Sequence, residues 1–347
     1  VIVNLKVIVA MSGGIDSSFA LSLLLEQGYD AIGCYLLMSD YHEEDVRRAQ
    51  EICDSLGVLF NIVDVRDRFS DEVIKPLIES YSRGVTSNPC IFCNPSVKFK
   101  VLFDVLEKFD ADFLATGHYA RIVKNDLTYS IARGKDVKKE QSYVLYRLHK
   151  EWLSKIIFPL GDWTKAEVRE KARGLFGKTF SDVPESVDLC FLEKKSKFKD
   201  FISANVTTMK GPIISTNGDL LGYHGGLAFY TVGQREGLGL SNGPWYVLEL
   251  RAQDNALIVG RKSDLYKRTI RCINPHWLES PVFGATYTAQ HRYKATPKPI
   301  TLTFLDENEF IVTAIESPFW GVAPGQSLVI YDGEVVVGGG VITSLER

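Results

Sequence analysis

Lys6-Val7-Ile8-Val9-Ala10-Met11-Ser12-Gly13-Gly14-Ile15-Asp16-Ser17-Ser18 is the stretch on which the fold turns. An apolar, largely β-branched run ends in Ser12-Gly13-Gly14, and helical periodicity begins at Phe19-Ala20-Leu21. A strand that passes through two glycines into a helix N-terminus makes a phosphate cradle. Glycine lets the backbone come close to an anion, and the first N–H groups of the helix point at it. Ser12, Ser17 and Ser18 add hydroxyl donors, and Asp16 can reach a magnesium ion carried by the phosphates. No Gly-Lys-Ser/Thr follows, so the loop is not a Walker A motif. A plain strand–turn–helix is the blander reading, but a mere turn needs neither the serines nor the aspartate.

Outward from this loop the chain alternates. Apolar runs at Lys6–Met11, Ala31–Leu37, Val58–Val65 and Asp112–Thr116 read as buried parallel strands. Helical patterns lie between them at Phe19–Gln27, Asp45–Leu56, Asp67–Ser82 and Val97–Phe109. This predicts an α/β fold with a doubly wound parallel sheet, which binds ligands at the carboxyl ends of its strands. The phosphate loop, the Asn88–Asn94 loop and Thr116-Gly117-His118 are expected together on that edge. A further helix is expected over Thr164 to Leu175, with Thr164 as N-cap and Glu167 completing a capping box. Beyond about residue 200 glycines multiply, and Thr216-Asn217-Gly218-Asp219 marks a turn between short alternating runs. From about 270 the pattern is nearly all β, at Thr301–Phe304, Phe310–Ile315, Ser327–Tyr331 and Val335–Val341, with an Asp332-Gly333 turn. That spacing suggests a small barrel. The expected domains are 1–199 (nucleotide-binding), 200–268 (small, mostly β) and 269–347 (β-barrel).

With 347 residues, 45% hydrophobic and 24% charged, the chain has room for two or three globular domains. No apolar run approaches the ~20 residues of a membrane span. No leader pattern precedes the first strand, so a cytoplasmic protein is the expectation. The six cysteines, Cys34, Cys53, Cys90, Cys93, Cys190 and Cys272, are too scattered for a secreted disulfide scaffold. The net charge of −3 does not announce a nucleic-acid binder. Its distribution is uneven: Arg261 to Lys298 holds eight Lys/Arg against two acids, and Lys194-Lys195-Ser196-Lys197-Phe198-Lys199 is a basic run. Such runs are usually a solvated surface.

Ser87-Asn88-Pro89-Cys90-Ile91-Phe92-Cys93-Asn94 reads as a loop leading into a helix, with Pro95 suited to its first turn. A cysteine at such a place has its thiolate stabilised by the helix dipole and unpaired N–H groups. Cys190 stands in Ser186-Val187-Asp188-Leu189-Cys190-Phe191; alone, it reads equally well as a buried apolar thiol. Burial is the plainer reading still for Cys34, Cys53 and Cys272.

Taken together, these segments resemble the tRNA-specific 2-thiouridylases of the MnmA type, within the ATP pyrophosphatases that carry an SGGxDS loop. The likeness runs nearly end to end. It takes in Ala10–Ser17, Asn88–Asn94, Ala115–Tyr119, Lys139–Tyr143, Asp188–Phe191, Thr231–Arg235, Arg292-Tyr293 and Pro324–Gln326. It implies cleavage of ATP to AMP and pyrophosphate, with Ala10, Met11, Ser12, Gly13, Gly14, Ile15, Asp16, Ser17, Leu36 and Gly117 at the nucleotide and magnesium on Asp16. It implies that Cys190 carries a persulfide, with Cys93 as its partner nucleophile. The target implied is the wobble uridine of tRNA, contacted by Asn88, Pro89, Cys90, His118, Lys139, Glu140, Gln141, Arg292, Tyr293 and Gln326. A cysteine desulfurase or sulfur-relay protein would supply the sulfur. The bare reading of His118 is a satisfied polar residue after a strand.

One departure bears on mechanism. Many thiouridylases of this kind carry Asp where this chain has Cys90, as a candidate general acid or base. Here Cys90, Cys93 and Cys190 could instead hold an iron–sulfur cluster. Zinc fits less well, because no second cysteine pair completes a tetrahedral set. Two rivals stand beside thiolation: another ATP pyrophosphatase acting on a small molecule, and an inactive tRNA- or carrier-binding module. The first needs no paired thiols; the second has no use for an intact Ser12-Gly13-Gly14 and Asp16.

Overall fold

The computed structural model describes residues 5–126, 128–177, 189–192 and 197–343. Ser186-Val187-Asp188 of the Cys190 segment and Lys194-Lys195-Ser196 of the basic run lie outside the described residues. The chain forms two compact units. One comprises Val1–Glu72, Cys90–Lys194 and Glu334–Val336, and the other comprises Val73–Pro89, Lys195–Gly333 and Val337–Arg347.

In the first unit β1 (Lys6–Met11), β2 (Asp30–Leu37), β3 (Leu59–Asp64), β4 (Phe113–Thr116) and β7 (Ile156–Ile157) form one sheet in the order β3-β2-β1-β4-β7. All its pairings are parallel, with Val7 opposite both Ala31 and Phe113. Val7, Ile8 and Val9 are fully buried, as a strand covered on both faces requires. Helices α1 (Ile15–Glu26) and α2 (Glu43–Ser55) follow β1 and β2. Leu21, Leu24, Ala49, Ile52 and Cys53 pack with β1 and β2 into one cluster. Each such aliphatic side chain contributes about 1.5–3 kcal/mol by leaving water. The helix over Lys165–Phe176 begins with the expected box: Thr164 Oγ1 accepts from the Glu167 amide, and Glu167 accepts from the Thr164 amide. Strands β5 (Ala120–Asn125) and β6 (Thr128–Arg133) make an antiparallel hairpin that the sequence reading did not assign.

Two helices depart from the expected regular form. The run after β3 is α-helical over Arg66–Phe69, π-helical over Ser70–Ile74 and α-helical again over Lys75–Ser82. A second run starts as a short helix at Pro89–Cys93, widens into a π segment at Asn94–Lys98 and continues as a helix at Phe99–Lys108. Pro95 lacks the N–H an α-helix would use, and the wider turn accommodates it.

The second unit holds a four-stranded sheet over Gly211–Ser215, Leu220–His224, Tyr246–Arg251 and Ala256–Gly260. It also holds a six-stranded barrel built from Thr269–Trp277, Thr286–Gln290, Lys298–Asp306, Glu309–Ala314, Ser327–Asp332 and Val335–Thr343. The first and last of these pair antiparallel and close it, with Cys272 opposite Ile342. Ile270, Cys272, Leu302, Phe310, Val312 and Leu328 fill its interior.

Candidate active site

The phosphate loop is shaped from within. Ser17 Oγ accepts from the Ser12 amide at 3.1 Å and donates to the Gly14 carbonyl at 3.0 Å, and Ser18 Oγ donates to the same carbonyl at 3.0 Å. Gly13 has φ +70°, and a Cβ there would run into the backbone of Asp45. Only glycine suits both conditions. Gly14 caps α1 in an extended conformation without a side-chain cap, which leaves the helix's first amides for a ligand. Arg48 holds the outer side of the loop, donating to the Gly13 carbonyl at 3.2 Å and pairing with Asp45.

Asp16 is engaged more tightly than expected. Lys165 Nζ lies 2.7 Å from both of its carboxylate oxygens, and Tyr119 OH donates to Oδ1 at 2.7 Å. Lys165 is buried at the first position of the Lys165–Phe176 helix, and its amide donates to Asp136 at 2.8 Å. Gly117 sits against the Asp16–Ser17 backbone, where a Cβ would come within 3.1 Å of the Ser17 nitrogen. The phosphate loop and the Thr116–Tyr119 loop therefore meet, as the sheet predicted. Sequence reasoning missed Lys165 and Tyr119. One signal was available: a lysine in a helix's first turn opposes the macrodipole and needs another reason to be there. Lys165 already meets the Asp16 charge, so a magnesium ion at this carboxylate would have to share or displace that contact.

Cys90, Cys93 and Cys190 are brought into one neighbourhood. Each of the first two feels the charge of Cys190, and all three feel the ammonium of Lys98. The expected dipole-stabilised thiolate is not what the structure shows. Cys93 lies inside a continuing helical run and is buried, and burial pushes its thiol up to about 12 against the opposing pull of Lys98. Cys90 is half-buried and also pushed up by burial. Cys190 is exposed, yet enough protein surrounds it to push its thiol up too. Phe191 seats that segment against Phe69, with ring centroids 5.9 Å apart. Cys34, Cys53 and Cys272 are buried, which leaves them as packing residues.

His118 borders the same region. Its Nδ1 is 2.7 Å from Thr116 Oγ1, its ring stacks on Phe99 at 6.0 Å, and burial holds its pKa well below the usual histidine range. Leu36 is buried at the end of β2. Among the described residues no group of three or more His, Cys, Asp or Glu side chains is arranged to hold a metal.

Comparison with known proteins places the chain. Sequence profiles described as "tRNA methyl transferase HUP domain", "tRNA methyl transferase PRC-barrel domain" and "Aminomethyltransferase beta-barrel domain" match residues 5–194, 199–261 and 267–342. A tRNA-specific 2-thiouridylase MnmA of Nostoc punctiforme is 39% identical, covering 97% of this chain and 98% of its own. One of Dehalococcoides mccartyi is also 39% identical, covering 97% and 96%. The chain belongs to the tRNA-specific 2-thiouridylase family. Among solved structures, a 4-thiouridine synthetase–RNA complex with bound ATP is 20% identical at a TM-score of 0.38, covering 58% of this chain and 50% of that one.

The remaining thiouridylase positions divide between exposed and internal. Glu140, expected at the RNA, is buried; its carboxylate pairs with Arg133 at 3.0 Å and accepts from the Ser142 amide. Its side chain is a strut for the loop. Gln141 Oε1 accepts from the Tyr119 amide at 3.0 Å, while Lys139 is half-buried beside them. In the second unit Gln326 Nε2 donates to the Thr86 carbonyl at 2.8 Å, and Thr86 Oγ1 bonds to Thr231 Oγ1 at 2.9 Å. The Thr231–Arg235 and Pro324–Gln326 motifs thus grip the chain just ahead of Asn88-Pro89. Arg292 stacks on Trp320 at 5.2 Å and Tyr293 is exposed beside it. A cleft of about 360 Å³ lined by Arg235, Leu238 and Trp245 lies in this unit and contains none of the thiols. No described helix is long and apolar enough to cross a membrane.

Proposed function

We propose that this chain performs ATP-dependent 2-thiolation of the wobble uridine of tRNA. The observation that carries the reading is the meeting, in one unit, of a phosphate loop, the Gly117–Tyr119 loop and three thiols around Lys98. The profile descriptions speak of methyl transfer, but the site argues for sulfur. Methyl transfer needs neither an ATP-cleaving loop nor a set of thiols in the same unit.

The uracil C2 oxygen is a poor leaving group. The amides and hydroxyls at Ser12–Ser17 would hold ATP while that oxygen attacks the α-phosphorus and pyrophosphate departs. Magnesium arriving with ATP would neutralise phosphate charge; Asp16 would act through Lys165 and Tyr119. The terminal sulfur of a Cys190 persulfide then attacks C2, and AMP leaves with the original oxygen. Cys93, as thiolate, attacks Cys190 Sγ. A Cys93–Cys190 disulfide forms, the older sulfur–sulfur bond breaks, and its electron pair goes to the sulfur leaving on C2. An external dithiol returns two electrons and two protons. Such a cycle suits a reducing cytoplasm, with a cysteine desulfurase or sulfur-relay protein as donor. The base must leave its stack to be reached. Asn88, Pro89, Cys90 and His118 are proposed to face it, and Lys139, Gln141, Arg292, Tyr293 and Gln326 to serve the rest of the RNA, with phosphate contacts making affinity salt-sensitive.

The test is pyrophosphate release with and without tRNA, followed by nucleoside mass spectrometry. Release that depends on tRNA, with 2-thiouridine formed from a persulfide donor, is expected. Release with a small carboxylic acid alone, and no thiolated nucleoside, overturns the reading.

A further inference from the structure

The segment Thr231–Trp245 is held in shape around a cation that has no partner. The Gly233 N–H donates to the Val247 carbonyl at 2.8 Å, and the Val247 N–H donates to the Gln234 carbonyl at 2.9 Å. The Gln234 side chain then brackets its neighbour: Oε1 accepts from the Thr231 amide at 3.2 Å, and Nε2 donates to the Glu236 carbonyl at 2.9 Å. Arg235 stands between these anchors, exposed, and among the described residues its side chain has neither a hydrogen bond nor an ion pair. Beyond it the chain bounds the cleft of about 360 Å³, whose wall combines Arg235 with Leu238, Leu240, Pro244 and Trp245. Strand pairing brings a second cation to that wall. Tyr246 lies opposite Gly260, so the residues just outside this pair, Trp245 and Arg261, meet, and the Arg261 guanidinium lies 4.1 Å from the indole ring centre. Arg261 also donates to the Asn242 and Pro244 carbonyls at 3.3 and 3.1 Å, which braces the loop, and no carboxylate pairs with its guanidinium among the described residues. Of the acids at hand, Asp264 accepts from the Arg261 amide at 2.7 Å, and Glu236 is the only one within 231–245.

We propose that this cleft holds one nucleotide of the tRNA other than the modified uridine, with its phosphate on Arg235 and its base against Pro244 and Trp245. The inference rests on the thiolation reading, which makes tRNA the substrate. A cation beside an apolar wall matches a nucleotide, which carries an anion and a flat ring on one frame. The free guanidinium suits a phosphate because its planar fork donates two parallel hydrogen bonds. An apolar peptide would leave Arg235 unpaired, and a bare anion would leave the apolar wall uncovered. The cleft is also continuous with residues already proposed to serve the RNA. Arg292 lies over Trp320, Trp320 packs with Val232 and Tyr246, and a Cβ on Gly233 would come within 3.4 Å of the same indole. Arg235 follows Gly233 by two residues, at most ~7 Å of chain, so one RNA strand can reach both arginines. Arg261 opens the basic run to Lys298 and Arg292 lies inside it, which gives that run a use beyond solvation.

Two measurements on the full chain test this. The first is binding of unmodified tRNA by fluorescence anisotropy across salt, for the native protein, Arg235→Gln, Arg235→Lys and Trp245→Leu. Loss of one phosphate contact should weaken binding by Arg235→Gln about tenfold at about 50 mM salt, narrowing to about three- to fourfold at about 200 mM, because the slope against log salt falls by about one. Lysine should restore the slope. Trp245→Leu should bind more weakly with the native slope, since a stacking wall carries no charge. The second is hydroxyl-radical footprinting of the native protein, which depends on no variant folding. Oxidation of Pro244 and Trp245 should fall when tRNA is added, and not when AMP is added at millimolar concentration. Equal slopes for the native protein and Arg235→Gln, or Trp245 oxidised equally with and without tRNA, overturn the proposal. Protection by AMP and not by tRNA overturns it as well and assigns the cleft to a free nucleotide. Nucleoside mass spectrometry separates the two failures: 2-thiouridine formed while slope and footprint stay unchanged removes the cleft alone, whereas a lowered slope and a protected Trp245 in a protein that never thiolates tRNA remove the thiolation reading.

Discussion

Removing the ammonium of Lys165 tests the arrangement around the phosphate loop most directly. Lys165 Nζ is 2.7 Å from Asp16, with side-chain exposures of 10% and 34%. At that separation, and with an effective dielectric constant of about 20, the Coulomb attraction is about 6 kcal/mol. Desolvation of the lysine consumes much of this, and the partly open Asp16 is screened by water, so a net coupling of about 1–3 kcal/mol is expected. Lys165→Met keeps the buried stem and deletes the charge. It should lower stability by about 2 kcal/mol, or about 4–8 °C in Tm for a unit of this size. Asp16→Asn should cost at least as much, because it leaves the buried Lys165 ammonium without a counter-charge even though an amide still accepts from Tyr119. In the double variant the two effects should fall short of their sum by about 1–3 kcal/mol. Function supplies the sharper readout. In Lys165→Met an unneutralised Asp16 faces the incoming triphosphate, and ATP should bind about tenfold more weakly by isothermal titration calorimetry. Tighter ATP–magnesium binding in that variant, together with additive stability effects, would refute the argument. It would mean that Asp16 is a metal ligand which Lys165 merely occupies.

Other expectations follow from particular contacts. Gly13→Ala should lose at least ~2 kcal/mol by thermal melting, and with it ATP turnover, because φ +70° and the Asp45 backbone both oppose a Cβ; native-like melting and turnover would contradict this. Cys93→Ser and Cys190→Ser should each abolish 2-thiouridine formation while preserving part of the tRNA-dependent pyrophosphate release, and unimpaired thiolation by either variant removes that cysteine from the relay. His291 is 4% exposed, its Nε2–H donates to the Trp320 carbonyl at 2.9 Å, and burial lowers its pKa to about 4. Above pH 6.5 both folded and unfolded states are neutral there and stability is full. As pH falls from 6.5 to 4 only the unfolded state gains the proton, which costs about 1.4 kcal/mol per unit and about 3 kcal/mol in all. Chemical denaturation of His291→Gln across that window should show a shallower acid slope than the native protein, and an equal slope removes His291 as its source.

The main sheet was legible because local chemistry dictates it. Val7-Ile8-Val9 has no use outside a covered strand, and a Gly-Gly turn between strand and helix has few meanings. The start of α1 at Ile15, ahead of the apolar periodicity at Phe19, was less legible because its first turn is built from polar residues. The π segments were hidden for a similar reason: Pro95 reads as a helix start, and only the packed structure shows the helix widening to keep it. Side chains joined across great sequence distances left no local trace. Lys165 meets Asp16 across 149 residues, and Gln326 meets Thr86 across 240. Glu140 is a further position whose partners left no local trace. The resemblance sets it at the RNA, yet its side chain is internal because Arg133 and the Ser142 amide satisfy it.

The resemblance sets an Asp, a candidate general acid or base, where this chain has Cys90. Burial pushes Cys90 toward its neutral form, so the thiol is unsuited to act as a general base. Cys90→Asp should therefore speed tRNA-dependent pyrophosphate release near neutral pH, where a carboxylate is ionised and this thiol is not. The measurement is the initial rate of pyrophosphate release by both proteins from pH 6 to 9; equal rates across that range would show that position 90 moves no proton during adenylation.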